Sequence, residues 1–206
     1  MKRTLAFAAS LLLLGACSSD GYTIRGKIAG LDNPYVYLLR YTGEVEVIDS
    51  AKVTKGDFVF KGKAEQPEVV YLSTDKQQPF VHFFLENGRI SVDGALSAPA
   101  DIAVLGTPSN DIQRAFDEKI AALEEEFAKA GNDVQRDSLR KEYSKLMSDA
   151  VEMNRDNIYG VTTFLNNAYA FLSPEEVMGQ IALFPAEWQQ RTELTDLRKV
   201  LEQRLR

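Results

Sequence analysis

What this chain of 206 residues has little of narrows its chemistry first. It holds a single cysteine, Cys17, so it can form neither an internal disulfide nor a Cys-x-x-Cys redox pair, and it has no cysteine cluster to ligate a metal. One histidine, His82, is present without any Gly-x-Ser-x-Gly turn, which leaves a Ser-His-Asp triad without its nucleophile elbow. Basic charge is not in excess: 24 Lys and Arg face 30 Asp and Glu, for a net charge of -6, so nucleic acid is not expected as a partner. Beyond residue 17 no apolar run approaches the roughly 20 residues needed to span a bilayer.

The positive features begin at the N-terminus. Lys2 and Arg3 precede an apolar stretch at 5–14 that is too short for a permanent membrane helix, which is the pattern of a signal peptide. The stretch ends in Leu14-Gly15-Ala16-Cys17, which resembles the bacterial lipobox, where the cysteine thiol receives a diacylglyceryl group. The resemblance implies a signal peptide over 1–16, lipidation of Cys17, and a lipidated tether at 17–21 that holds the chain on a membrane through its acyl chains. Ser18, in place of an aspartate after the cysteine, implies onward sorting to the outer membrane of the cell envelope. Whether the chain would face the periplasm or the surface stays open. Loss of Lys2 and Arg3 takes the basic count from 24 to 22 against 30 acidic residues, and the net charge from -6 to -8.

From Tyr22 the apolar residues alternate with period two, as strands require. Such runs fall at 22–28, 35–41, 45–48, 58–63, 69–73, 80–85, 89–92 and 101–105. Turn chemistry separates them at Leu31-Asp32-Asn33-Pro34, Lys55-Gly56-Asp57 and Glu86-Asn87-Gly88. The first of these turns implies a hairpin between the first two strands. Phe58 and Phe60 share one face of their strand, and Phe83 and Leu85 oppose His82 and Phe84, so one face of each strand is expected in a core. Short strands at this spacing predict an antiparallel β-sandwich over 22–106.

After Gly106-Thr107-Pro108 the period changes to 3.6, which predicts an α-helical region over 107–206 and an α+β fold. Ile112, Phe116, Ile120, Leu123 and Phe127 stripe a first helix, with Asn110 placed to cap it and Gln113 as its capping-box partner. Leu139, Tyr143, Leu146, Ala150 and Met153 stripe a second, and a third runs from about 161 to 171. Ser173-Pro174-Glu175-Glu176 is a strong helix start, with a serine cap, a proline in the first turn and a glutamate three residues after the cap. Pro185 ends that helix, Trp188 anchors a short turn, and Leu194, Leu197, Leu201 and Leu205 stripe the last one.

The order of features resembles a family: the N-terminal domain of unknown function that precedes thioredoxin-like or peroxiredoxin-like modules in envelope lipoproteins. The resemblance is carried by Arg25 to Leu31, by Ile48-Asp49-Ser50-Ala51-Lys52-Val53 with Gly56 to Gly62, and by Leu85 to Val92. Gly106-Thr107-Pro108-Ser109-Asn110-Asp111 and Leu172-Ser173-Pro174-Glu175-Glu176 complete it. It implies a non-catalytic accessory or binding module beside a thioredoxin-like redox partner, fused or in trans. The sequence stops at Arg206, where such a module would begin, and it contains no Cys-x-x-Cys. Either it is the front of a longer protein or the module stands alone, and a missing thioredoxin-like module would carry any oxidoreductase activity. The competing reading is a free-standing ligand-binding lipoprotein that uses the sandwich edge or the crevice between the two halves.

Other constellations have plainer explanations. Gly21-x-x-x-x-Gly26-Lys27 approaches a phosphate loop, but Ile28 stands where Ser or Thr would hold Mg²⁺ and the segment follows a tether rather than a strand. His82 reads as a structural strand histidine, with hydrolysis as the outlying alternative. Glu124-Glu125-Glu126 and Glu175-Glu176 read as a solvated helix face and a first-turn pair favoured by the helix dipole. The Tyr35, Tyr37 and Tyr41 row reads as sheet packing before it reads as a carbohydrate platform. No catalytic residue, metal site or cofactor is expected.

Overall fold

A computed structural model describes residues 20–205, with 168–171 traced by backbone alone. The expected signal peptide, Cys17 and most of the tether fall outside the described residues. Eight strands follow one another: β1 (Tyr22–Ala29), β2 (Tyr35–Tyr41), β3 (Val45–Lys52), β4 (Asp57–Gly62), β5 (Glu68–Ser73), β6 (Pro79–Leu85), β7 (Gly88–Ala95) and β8 (Ala103–Leu105). They form two four-stranded sheets, one in the order β4-β1-β7-β8 and the other β3-β2-β5-β6. The fold is α+β, with helices following the strands.

Three strand expectations are corrected. β1 and β2 are not a hairpin: β1 lies in the first sheet and β2 in the second, and the 31–34 turn carries the chain across the sandwich with Leu31 buried beneath it. The sandwich is also not wholly antiparallel, because β1 pairs in parallel with β7 through eight residue pairs, from Tyr22 with Gly88 to Ala29 with Ala95. Period two marks which side of a strand is apolar but not which strand lies beside it. β1 sits between β4 and β7, so its buried residues Ile24 and Ile28 join Phe58, Phe60, Ile90 and Val92 in one core with the inner face of the second sheet. The strand expected at 101–105 is shorter, since Pro99 opens a 3-10 turn at Pro99–Asp101 before β8.

Two glycines are required by close approach. A Cβ on Gly26 would fall 1.9 Å from the Phe58 ring, so its absence lets that ring lie across β1. Gly56 has φ +83° at the turn before β4, and its carbonyl accepts from the Ile28 amide at 3.0 Å.

The helices are α1 (Pro108–Lys129), α2 (Asp133–Met153), α3 (Ile158–Phe171), α4 (Pro174–Ile181), α5 (Ala186–Gln189) and α6 (Thr192–Arg204). None of them is long and apolar enough to cross a membrane. α3 starts three residues before the position expected because the Asn157 side chain caps it, accepting from the Gly160 amide at 3.1 Å. Ser173 caps α4 as expected: its hydroxyl accepts from the Glu176 amide, and the Glu176 carboxylate accepts from the Ser173 amide at 2.7 Å.

Helices close on each other and on the sandwich. Val161, Phe164, Val177, Ile181, Phe184, Leu194, Leu197 and Leu201 form a core among α3, α4 and α6. A second cluster joins the halves: Phe84 of β6 packs with Ala150, Ile158 and Tyr159, flanked by Val69, Ile112, Phe116 and Trp188. This corrects the expectation of one core face for β6. Phe83 and Leu85 enter the sandwich core, and Phe84 on the opposite face is buried by helices.

Candidate functional site

The sandwich is open along one side, where β6 ends one sheet and β8 the other. α1 runs along this opening and leaves a crevice of about 950 Å³. One wall is β6 with Phe80 and His82, the second is the Pro99–Asp101 turn with Ile102 and Val104, and the third is α1. α1 contributes Asn110, Gln113, Arg114, Asp117, Glu118, Ala121 and Glu124, a stripe at helical spacing beside the apolar stripe that faces the domain.

The inner end of the crevice is sealed by Asn110, which does not cap α1. The helix begins at Pro108 with Thr107 as its first flanking residue, and Asn110 is buried. Its side-chain oxygen accepts from the Phe84 amide at 2.9 Å, and its amide nitrogen donates to the Phe84 carbonyl at 2.8 Å and to the Thr107 hydroxyl at 2.7 Å. A carboxamide thus takes the place of a neighbouring strand on the free edge of β6. Glu86 beside it accepts from the Ser109 hydroxyl at 2.7 Å and from the Ser109 amide at 3.1 Å, and Asp111 accepts from the Gly106 amide at 2.7 Å. Gln113, expected in a capping box, donates to Asp117 instead.

Because Phe84 directs its backbone groups to Asn110, the two-residue alternation of an antiparallel ladder turns the N–H and C=O of His82 the same way, into the crevice. No backbone partner meets them among the described residues. The His82 side chain is exposed and lies 6.0 Å from the Tyr71 ring, centroid to centroid. Asp117, across the crevice, is open to solvent yet crowded by the walls. That burial raises its carboxyl above the ordinary value, against the Gln113 hydrogen bond and the charges of His82 and Arg114. Arg114 pairs with Glu118 at 3.1 Å. The crevice therefore offers an unpaired strand edge, charges of both signs and an apolar floor from Phe80, Ile102 and Val104. Its lining holds no serine, threonine, cysteine or lysine.

Residues 22–113 match the family model of a domain of unknown function (DUF4369). That segment is similar to the family's domain over 22–113, the β-sandwich and the start of α1. The DUF4369 match runs past the last strand into the first turns of α1, and the physical reason is visible: Ser109, Asn110 and Asp111 bond to Glu86, Phe84 and Gly106. Comparison with characterised proteins gives no match.

The remaining candidate residues are scattered. Gly21, Gly26 and Lys27 lie in or beside β1, so they form no phosphate loop. Glu124 reaches the outer end of the crevice, while Glu125 pairs with Lys129 on the exposed face of α1 at 2.5 Å. Glu176 is committed to the α4 cap. Among the described residues no group of three or more His, Asp or Glu could hold a metal ion. Tyr35, Tyr37 and Tyr41 are not a flat platform: the Tyr41 ring meets Tyr71 edge-on at 4.6 Å, and Lys76 lies 4.7 Å over the Tyr37 ring. The crevice residues Gln113, Arg114 and Asp117 were missed as a group. The polar stripe they form with Asn110, Ala121 and Glu124 was the available signal, but it is indistinguishable from a solvated helix face until β6 and the 99–101 turn are placed against it.

Proposed function

We propose that the mature chain is an envelope lipoprotein, held on the outer membrane through acyl chains on Cys17, and that its folded part is a non-catalytic binding module working beside a thioredoxin-like partner, fused or in trans. The observation that carries the binding role is the crevice, where a free strand edge and convergent polar groups line a concave site. Thiol chemistry would reside in the partner, since the only cysteine of this chain is the acylation site.

The anchor is tested by detergent partitioning: wild type enters the detergent phase and Cys17→Ala stays in the aqueous one. Equal division of the two rejects the anchor. The module is tested by amide shifts on adding a thioredoxin-like domain, which are expected at His82, Gln113, Arg114 and Asp117. The volume of the crevice, at the upper end of the range for small-molecule sites, favours a second reading, a free-standing ligand-binding lipoprotein. No shifts with the redox domain, together with a small molecule that raises the melting temperature, would select that reading.

A further inference from the structure

The outer face of the β4-β1-β7-β8 sheet carries charge of one sign at one end. Register places Lys61 beside Thr23 and Thr23 beside Arg89 in a row across β4, β1 and β7. The next outward row is Val59, Arg25, Ser91 and Leu105. With strands about 4.8 Å apart and outward residues about 6.6 Å apart along a strand, Arg25, Lys61 and Arg89 all fall within roughly 10 Å of one another. All three are exposed, and none has a carboxylate within ion-pair distance among the described residues. They surround a shallow groove with Thr23, Ser91 and Leu105. Two exposed apolar side chains, Val59 at 49% and Leu105 at 40%, flank Arg25 in the same row. Further along, the third row sets Lys27 between Asp57 and Asp93, so the unbalanced cations are confined to the Tyr22 end.

That end is where the chain arrives from Cys17. Four residues, Ser18 to Gly21, separate Cys17 from Tyr22, a reach of at most about 18 Å. Acidic residues at this end lie off that outer face: Glu86 and Asp111 accept from Ser109 and Gly106, Glu65 sits in the segment after β4, and Asp20 belongs to the tether. α1 starts at the same end, where Asn110 meets Phe84, and runs along the crevice toward the Pro99–Asp101 turn, which takes Glu118 and Glu124 away from it. A protein with an overall acidic charge therefore turns a basic, partly apolar patch toward its own anchor point.

We propose that this face, formed by Arg25, Lys61, Arg89, Val59 and Leu105, rests on anionic phospholipid headgroups and so orients the domain on the membrane. The proposal rests on the anchored reading above. Cations within a Debye length of an anionic surface bind it in a salt-dependent way, and apolar side chains at the same level enter the headgroup boundary. The crevice opens at the β8 edge of that sheet, where Ile102 and Val104 line it and the outer-face residues do not, and is then left free for its partner.

The test uses the mature chain carrying Cys17→Ser, so that acylation plays no part, in cosedimentation with phosphatidylcholine vesicles with and without phosphatidylglycerol. Binding is expected only with phosphatidylglycerol, and it should fall steeply with added salt. Arg25→Gln/Lys61→Gln/Arg89→Gln should weaken it about 100-fold without changing the thermal melt, since all three side chains are exposed. Asp57→Asn/Asp93→Asn should strengthen it. Equal binding to both vesicle types, an unchanged triple variant, or release by inorganic phosphate at matched ionic strength would overturn the proposal, the last in favour of a soluble anion. Detergent partitioning of wild type reports the anchor separately. An acylated wild type whose Cys17→Ser form ignores phosphatidylglycerol overturns the face alone, and a face that binds in a chain that is never acylated overturns the anchor alone.

Discussion

The sandwich buries the phenylalanines of β4 in its core, and the far end of the α1–α2 hairpin leaves its aromatic side chains half open. Phe58 and Phe60 are 3% and 1% exposed, whereas Phe127 and Tyr143, set at equally regular spacing, are 38% and 37% exposed. The difference lies in the number of partner faces. Even the edge strand β4 pairs with β1 and turns Phe58 and Phe60 into a core closed by the second sheet, whereas beyond the crevice α1 and α2 have mainly each other. The exposed pairs that lace the hairpin, such as Lys129 with Glu125 and Arg140 with Asp137, lie in solvent and add little. A full phenylalanine burial is worth about 1.5–3 kcal/mol, and the hairpin tip forgoes part of it at each position. Stability should therefore be graded along α1, from its sealed start at Asn110 to its open end near Lys129.

The largest expected effect tests the buried end of the helical half. Leu201 is 1% exposed, so Leu201→Glu places an unpaired carboxylate in the α3–α4–α6 core and should cost about 3–5 kcal/mol in a urea melt. Leu205 is 44% exposed, and Leu205→Glu should stay within about 0.5 kcal/mol. A stable Leu201→Glu variant would show that this core is not closed.

Next in size is the joint between the regions. Asn110→Ala strands the buried amide and carbonyl of Phe84 and should cost about 2–4 kcal/mol. Hydrogen exchange at the Phe84 amide should accelerate in that variant; unchanged protection would mean that some other group seals β6. A smaller loss, about 1 kcal/mol, is expected for Ser173→Ala, since one cap bond at the start of α4 disappears while the fold persists. Equal urea midpoints would argue against the cap. On the hairpin, Lys145→Ala removes an exposed pair with Asp149 and should shift stability by no more than about 0.5 kcal/mol, so a larger loss would contradict the contrast drawn between the regions.

The smallest effect depends on pH. Burial in the crevice raises the Asp117 carboxyl above its ordinary 3.8, so protonation favours the folded state. Its contribution is complete below the unfolded value and fades as pH rises through the folded one. Asp117→Asn should therefore be at least as stable as wild type at neutral pH, with the gap closing on acidification. A carboxyl resonance of Asp117 titrating below the usual aspartate range would reverse the sign.

Two asparagine and serine positions illustrate how much could be read in advance. Ser173, Pro174 and Glu176 satisfy one another within a single turn, so the cap of α4 was legible from four consecutive residues. Asn110 carried the same local signature for α1, yet it serves Phe84, 26 residues earlier in the chain. Cap chemistry and strand-edge chemistry use the same carboxamide, and only the position of β6 chooses between them. The crevice was illegible for the same reason: its three walls come from 80–84, 99–104 and 110–124, and no short segment contains two of them.

The sequence by itself determined which segments are strands and which are helices, where glycine and proline turn the chain, and which side of most elements is apolar. Those properties follow from backbone sterics and from periods of 2.0 and 3.6 residues, which act within a few positions. Only the tertiary structure decided that β1 and β2 part into different sheets, that β1 runs parallel to β7, that Phe84 is buried from the opposite side to Phe83, and that α1 closes the open edge incompletely. A periodic pattern specifies a face and not its partner; which faces meet is settled when all of them compete to leave water together.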